Sequence, residues 1–387
     1  LASELPAPDC DPVRVSLLSE RLIAFRDTSG KIGLMDEFCA HRGVSLWFGR
    51  NEEGGLRCPY HGWKYDTSGQ CIEVPSEPAS SGFCDKIKLK SYPCVEVGGV
   101  IWTYMGPAEK QPVPPNYAWT QVPEDQRFAS KVLEECNWLQ ALEGGIDTSH
   151  FTIMHRAITK DPAHFGIAID NPGVVGGAPD LEIDITDYGY AYFGIRLLGE
   201  AESYVRGYHF IMPFTQLRPP GPGKPKTHGH HWVPIDDENC MVWNFYHTHD
   251  GEPVDDDVDK GAGNELEVDV DIANGFRSIR NKSNDWMIDR EVQRTETFTG
   301  IEGINTQDQA IQESMGPILD RTNENLAASD MAIVIARRML LEAAGTVADG
   351  GDPPGVGDSY YNVRAIDAIV PNDSDWKEEL DDRMYGH

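Results

Sequence analysis

The sequence predicts an α+β protein in parts: an all-β domain over 1–110, a linker over 111–130, and a larger domain over 131–387 in which helices cover an antiparallel β-sheet. Three observations predict it. Short strand-like runs such as Arg21–Phe25 and Gly99–Tyr104 are punctuated by Ser29-Gly30, Gly54-Gly55 and Ser68-Gly69, the pattern of a compact sheet domain over 13–106. Gln111-Pro-Val-Pro-Pro-Asn116 is a stiff spacer. Beyond it, β runs at 181–187, 189–198, 203–212, 228–235 and 240–248 follow one another closely, which favours antiparallel pairing with helices packed on the sheet.

The remaining elements follow in order. From about 131 the chain reads as helix into the segment around 150. The stretch 251–263 is acidic and Gly-rich, a solvated loop. A last long helix is expected over 330–344, capped by Ser329-Asp330 and stopped by Gly345 in the left-handed conformation. The tail from Gly350 shows no sustained helical pattern, and no internal repeat is visible.

Composition narrows the partners. At 387 residues the chain is long enough for two or three domains with full cores. A net charge of −30, from 33 basic and 63 acidic residues, opposes phosphate backbones and anionic lipid, so neither nucleic acid nor membrane is expected. No run of eighteen apolar residues and no targeting leader is seen. Apart from Cys39 and Cys58, the cysteines at 10, 71, 84, 94, 136 and 240 lack a disulfide-framework spacing and fit free thiols in a reducing cytoplasm.

Two motifs carry the chemistry. Cys39-Ala-His41 and Cys58-Pro-Tyr-His61 are separated by sixteen residues, giving C-x-H…C-x-x-H. Two thiols and two imidazoles are the donor set of a Rieske [2Fe–2S] centre, with the thiolates on one iron and the imidazoles on the other. A structural zinc knuckle uses the same residue types. Against it, Gly43, Pro59 and Gly62 permit tight turns and Phe38 and Trp63 can shield a cluster. On these residues, 13–106 resembles the Rieske domain of the Rieske non-haem iron oxygenases.

The second motif runs from Asn137-Trp138 through Glu143-Gly-Gly and Asp147-Thr-Ser-His150 to His155. It resembles the iron-binding segment of the same family, whose Fe(II) takes two histidines and one carboxylate on one face and leaves the other open. A spacing of five sets His150 and His155 about 140° apart on a regular helix, so the helix must break or distort between them. The resemblance implies Asp308, in Gln307-Asp308-Gln-Ala-Ile-Gln-Glu313, as the third ligand; Asp330 is an alternative that fits helix capping better. It also implies that Asp147 bridges the two metal sites across a subunit boundary, as an outer carboxylate that fixes imidazole orientation. Gly144 departs from the Asn that many members carry near the iron. The Glu143-Gly-Gly form is similar to the phthalate dioxygenase branch, whose members are often trimers of one subunit type.

The resemblance thus implies a helix-grip, START-like catalytic domain and a terminal oxygenase component with a Rieske cluster and mononuclear Fe(II). Such a component uses O2 and electrons from a reductase fed by a reduced nicotinamide cofactor to hydroxylate or dihydroxylate a small aromatic carboxylate. O-demethylation or ether cleavage of an alkoxy- or phenoxy-benzoate is the alternative outcome. A Rieske electron-transfer protein without catalytic iron, and a zinc-stabilised binding module, are the rivals from other classes. A cytoplasmic homotrimer is expected. Arg196 and Arg206, on adjacent strand-like runs, are candidates for the substrate carboxylate, although each could equally face solvent. Strand alternation divides His228, His230 and His231 between two faces, which argues against a further metal site there.

Overall fold

The computed structural model describes residues 1–221, 224–254 and 264–386, so most of the predicted acidic loop at 251–263 lies outside the described residues. The chain forms two compact units, Leu1–Pro115 and Asn116–His387.

The first unit is built from two four-stranded sheets and a hairpin. Glu20–Arg26 pairs antiparallel with Val13–Leu17 on one side and Ile32–Asp36 on the other. Its run Leu22-Ile-Ala-Phe25 is buried on both faces, which explains the unbroken apolar sequence there. The second sheet orders Arg50–Glu52, Gly55–Arg57, Lys64–Tyr65 and Cys71–Glu73. Ile23, Phe25, Met35, Leu46, Leu56 and Tyr65 form a core that also takes in Cys39 and Cys58.

The second unit is a ten-stranded, mostly antiparallel sheet. Its order is Asp180–Ile185, Gly189–Leu197, Glu202–Ile211, Thr215–Arg218, Lys226–Pro234, Cys240–Thr248, Arg127–Glu134, Arg277–Ser278 and Val270–Asp271, with Ile366–Pro371 added alongside Glu202–Ile211. The Trp138–Ile146 helix packs on Lys226–Pro234 and Thr215–Arg218 and against the Ile304–Ser314 helix. Glu143 fixes it further: Arg337 donates to both carboxylate oxygens at 2.7 and 2.8 Å, and Arg321 adds a bond of 2.7 Å. Glu143 is thus a tie between helices. Among the described residues no helix is long and apolar enough to cross a membrane.

The structure corrects four of the expected elements. Arg127–Glu134 is a strand rather than helix, paired along its length with Cys240–Thr248. Its inward residues are Ser130, Val132 and Glu134, and two polar side chains among three hid the alternation. The strand Thr215–Arg218 was not expected. The helix over 331–348 runs through Gly345 and stops at Gly350, which has φ +83° and donates its N–H to Val347 O. The tail also carries structure: the strand Ile366–Pro371, and the helix Trp376–Tyr385, capped by Asp375 and burying Leu380 and Met384.

Candidate active site

In the first unit, two loops each fold back around a cysteine. Cys39 donates to Val44 O and accepts from Gly43 N, while Cys58 donates to Trp63 O and accepts from Gly62 N, all at 2.8–3.0 Å. Gly43 and Gly62 hold φ of +70° and +77°, a region other residues adopt only with strain. Both thiols are buried, and burial together with the neighbouring Cys39 pushes the Cys58 thiol up. The Tyr65 hydroxyl lies 3.2 Å from Cys39 Sγ. His41 and His61 stand exposed with ring centroids 4.4 Å apart, His41 stacked on Trp63. An inner pair of sulfurs and an outer pair of imidazoles fit a Rieske cluster with its histidine-bound iron toward solvent.

In the second unit, the predicted break lies at Asp147. The Trp138–Ile146 helix ends at Asp147, whose carboxylate accepts from Ser149 N at 2.6 Å and His150 N at 3.3 Å, opening the single turn Phe151–Met154. His150 and His155 flank this turn, and His155 leaves the helix with φ −90° and ψ 0°. Their Nε2 atoms lie 3.4 and 3.2 Å from Asp308 Oδ1, on the Ile304–Ser314 helix. Adjacent ligands about 2.1 Å from a metal are about 3 Å apart, so the triad fits one ion held on one face. Asp330 is not part of this group; its carboxylate accepts from Ala327 N at 2.6 Å.

The outer nitrogens are also fixed. His150 Nδ1 lies 3.0 Å from Asp147 Oδ2 and His155 Nδ1 2.8 Å from Gln307 Oε1, which directs each Nδ1 proton outward and sets each Nε2 on the side of Asp308. The Gln307 amide is itself oriented by donating to Ile301 O at 2.8 Å. Sequence reasoning missed Gln307, although its place beside Asp308 was the available signal. Burial opposes a charged His150, yet Asp147 and Asp308 push it up to about 10. Burial likewise opposes a charged Asp308, yet His155 and His150 hold it far below the usual carboxylate range. The site therefore favours bound positive charge.

Beside the triad opens a cleft lined by Asp308, Arg218, His230, Trp232, Glu134 and Gln312 among others. Arg218 donates to Asn305 Oδ1 at 3.0 Å and has no carboxylate ion-pair partner among the described residues. Burial pulls its pKa below the ordinary arginine value, with Asp308 acting against that. His230 Nδ1 lies 2.7 Å from Asn244 Oδ1, leaving Nε2 as the unprotonated nitrogen. A side chain at Gly144 would run into the Gln312 amide, 3.0 Å from its Cδ, so Gln312 takes the space an Asn there would need.

Arg196 and Arg206 are both buried but stand apart from the residues lining the cleft. Arg196 donates to Thr148 O at 2.6 Å and Gly177 O at 3.0 Å, and Arg206 donates to Pro219 O at 2.6 Å with its guanidinium 4.4 Å from the Phe151 ring centre. They brace the segment on either side of His150. His230 faces the cleft, whereas His231 bonds Thr215 Oγ1 at 2.7 Å, with its ring stacked on Phe245.

A Rieske loop pair, together with a two-histidine, one-carboxylate triad on a helix-flanked sheet, defines the oxygenase component of a Rieske system. Comparison with known proteins places the chain within that class. Residues 1–93 match the Rieske [2Fe-2S] domain and residues 103–384 the LigXa C-terminal domain-like family. The chain is 39% identical to the phthalate 4,5-dioxygenase oxygenase subunit of Pseudomonas putida, over 98% of this chain and 88% of that one. It is 37% identical to the 3-chlorobenzoate-3,4-dioxygenase oxygenase subunit of Comamonas testosteroni, over 97% and 90%. The fold is shared with a solved structure of NdmA, a QL mutant with theobromine, from Pseudomonas putida CBB5, at a TM-score of 0.62 and 18% identity over 97% of this chain and 94% of that one. The chain belongs to the Rieske non-haem iron oxygenases. It is an oxidoreductase that uses O2 with a Rieske [2Fe–2S] cluster and a mononuclear iron, and it takes its electrons from a reductase. That sets aside the relay without catalytic iron and the zinc module.

Proposed function

We propose that this oxygenase hydroxylates or dihydroxylates a small aromatic carboxylate of the phthalate or halobenzoate kind, with Arg218 as its anchor. The observation that carries the reading is a half-buried guanidinium that lines the cleft beside Asp308 without a carboxylate partner among the described residues. Isolating a cation there is costly, and a ligand carboxylate would neutralise it with charge-assisted hydrogen bonds. Similarity to the phthalate and chlorobenzoate oxygenase subunits supports the same substrate class.

In this reading Cys39, Cys58, His41 and His61 hold the cluster, and His150, His155 and Asp308 hold the iron. When bound, the two centres supply one-electron transfer and oxygen activation. The chain supplies the rest. Asp147 and Gln307 orient the ligand imidazoles, Arg196 and Arg206 brace the loop that carries them, and Trp232 and Val242 give the cleft apolar walls. His230, kept neutral by burial, offers Nε2 as an acceptor. We further propose a cytoplasmic homotrimer in which the cluster of one subunit serves the iron of the next through Asp147, with a nicotinamide-fed reductase as donor.

Steady-state kinetics of Arg218→Gln test the anchor. Removing a desolvated charge-assisted pair worth about 1.5–3 kcal/mol should raise KM for phthalate or 3-chlorobenzoate by about tenfold or more, leaving a neutral amide analogue little changed. An unchanged KM for every carboxylate turned over removes Arg218 from this role.

A further inference from the structure

Two buried carboxyl groups, on the strand Arg127–Glu134 and on the Ile304–Ser314 helix, take no part in the ligand and anchor assignments. Glu134 ends the strand Arg127–Glu134, is 3% exposed, and lines the cleft that contains Asp308 and Arg218. The only hydrogen bond to its side chain among those described comes from Cys136 Sγ at 3.5 Å. Glu313, 8% exposed, lies on the Ile304–Ser314 helix that carries Asp308. Its Oε1 accepts from Glu135 N at 3.0 Å and Gln309 Nε2 at 2.8 Å, while Oε2 is buried with no partner. Gln309 Nε2 also donates to Leu133 O at 2.8 Å, tying the helix to the strand that carries Glu134. Toward the surface, Glu135 pairs with Arg277 and with Lys282 at 3.2 Å, and the Lys282 side chain is 53% exposed.

We propose that Glu134 and Glu313 form a proton inlet from this rim to the cleft, with Glu134 as the final donor to oxygen being reduced there. The inference rests on the oxygenase reading and deepens it. Dihydroxylation consumes one aromatic ring, one O2, two electrons and two protons. The O–O bond breaks, two C–O bonds form, and O2 takes two electrons from a ring π bond and two from the reductase, passed one at a time through the cluster. Each product hydroxyl needs a proton inside a site built to exclude water. Glu134 gives up its proton to one oxygen, Glu313 replaces it, and solvent at the rim restores Glu313; a second passage along the same route supplies the other oxygen.

The electrostatics agree with that direction of flow. Burial first, then Glu313 and Asp308, keep the Glu134 carboxyl protonated well above the usual range, with the Cys136 thiol acting against them. Burial also raises Glu313, with Glu135 adding to it and Gln309, the Glu135 N–H and Lys282 opposing. An unpartnered Oε2 on a protonated acid is a donor waiting for an acceptor.

The test uses Glu134→Gln and Glu313→Gln, which keep shape but carry no transferable proton. Expected for Glu134→Gln are normal iron and cluster content, the same product as wild type, a fall in product formation of roughly ten- to a hundredfold, a solvent deuterium isotope effect above that of wild type, and hydrogen peroxide released in place of product. Glu313→Gln should show the same signature more weakly, and carries the test alone should the first variant be unstable. Wild-type rate, coupling and isotope effect in both variants would overturn the inlet, as would a fall that tracks lost iron. The wild-type product, identified in the same assay, judges the substrate class separately.

Discussion

Gly145→Ala separates what the Gly-Gly pair does for packing from what it does for chemistry. A Cβ at Gly145 would stand 2.5 Å from Trp232 Cζ2 and closer still to Cη2. Carbon atoms rest at about 3.5 Å or more, so the helix or the indole must give way by about 1 Å. Trp232 is 4% exposed and lines the cleft, so it has little room to retreat. Overpacking of this kind costs about 1–3 kcal/mol, while alanine regains about 1 kcal/mol of helix propensity. The net loss is then about 0–2 kcal/mol, a fall in Tm of a few degrees at about 2–4 °C per kcal/mol. Activity should suffer more, because Asp147 and His150 follow directly from this helix and a 1 Å misplacement of reacting groups costs about a hundredfold. Gly144→Ala is the control. Its Cβ meets the far end of the Gln312 side chain, which can swing aside, so stability should hold or rise. Thermal melts, iron content and product formation are the measurements. A Gly145→Ala enzyme as stable and active as wild type, or a Gly144→Ala enzyme damaged equally, would refute the reasoning.

Asp308→Ala should lose the mononuclear iron and nearly all turnover while the visible spectrum of the Rieske cluster persists; retained iron and activity would return the ligand role to another carboxylate. Asp147→Asn keeps shape but loses charge, so both metals should remain while single-turnover oxidation of a pre-reduced cluster slows severely, and a wild-type rate would end the cross-subunit relay. Acid should destabilise the sheet. Burial pushes His209 to about 4 and His231 and His247 to about 3, against an ordinary 6.5. These pKa values are lowered on folding, so the stability they contribute is complete above about pH 6.5 and is lost as pH falls toward 4, at about 1.4 kcal/mol per pH unit for each group. The raised Glu134 and Glu313 act oppositely, losing their contribution as pH rises through their folded values. The histidines outnumber them, so unfolding near pH 5.5 should take up protons; proton release there, measured by calorimetry in buffers of different ionisation enthalpy, would contradict this.

The metal centres were legible because their donors are local. Cys39, His41, Cys58 and His61 sit in two short loops, so their spacing carried the pattern, and His150 and His155 flank one turn that was read from its resemblance once the first motif stood. Asp308 came from a resemblance rather than from spacing, since 152 residues separate it from His155. The cleft was illegible for a related reason. Glu134, Arg218 and His230 come from three separate strands and point polar atoms inward, which inverts the apolar-in rule by which strands are read. The same inversion turned the strand Arg127–Glu134 into an expected helix. Arg196 and Arg206 were visible as cations on neighbouring strands, but their backbone-carbonyl partners at Thr148, Gly177 and Pro219 belong to tertiary structure alone.

The central claim is that this chain adds oxygen from O2 to an aromatic acid. Turnover of phthalates, halobenzoates and alkoxybenzoates under ¹⁸O2, with a competent reductase and mass analysis of the products, tests it most directly. The account predicts a hydroxylated aromatic acid carrying ¹⁸O, formed by a protein that holds about three irons per chain. Reduction and reoxidation of the cluster with no ¹⁸O in any of these acids would contradict it.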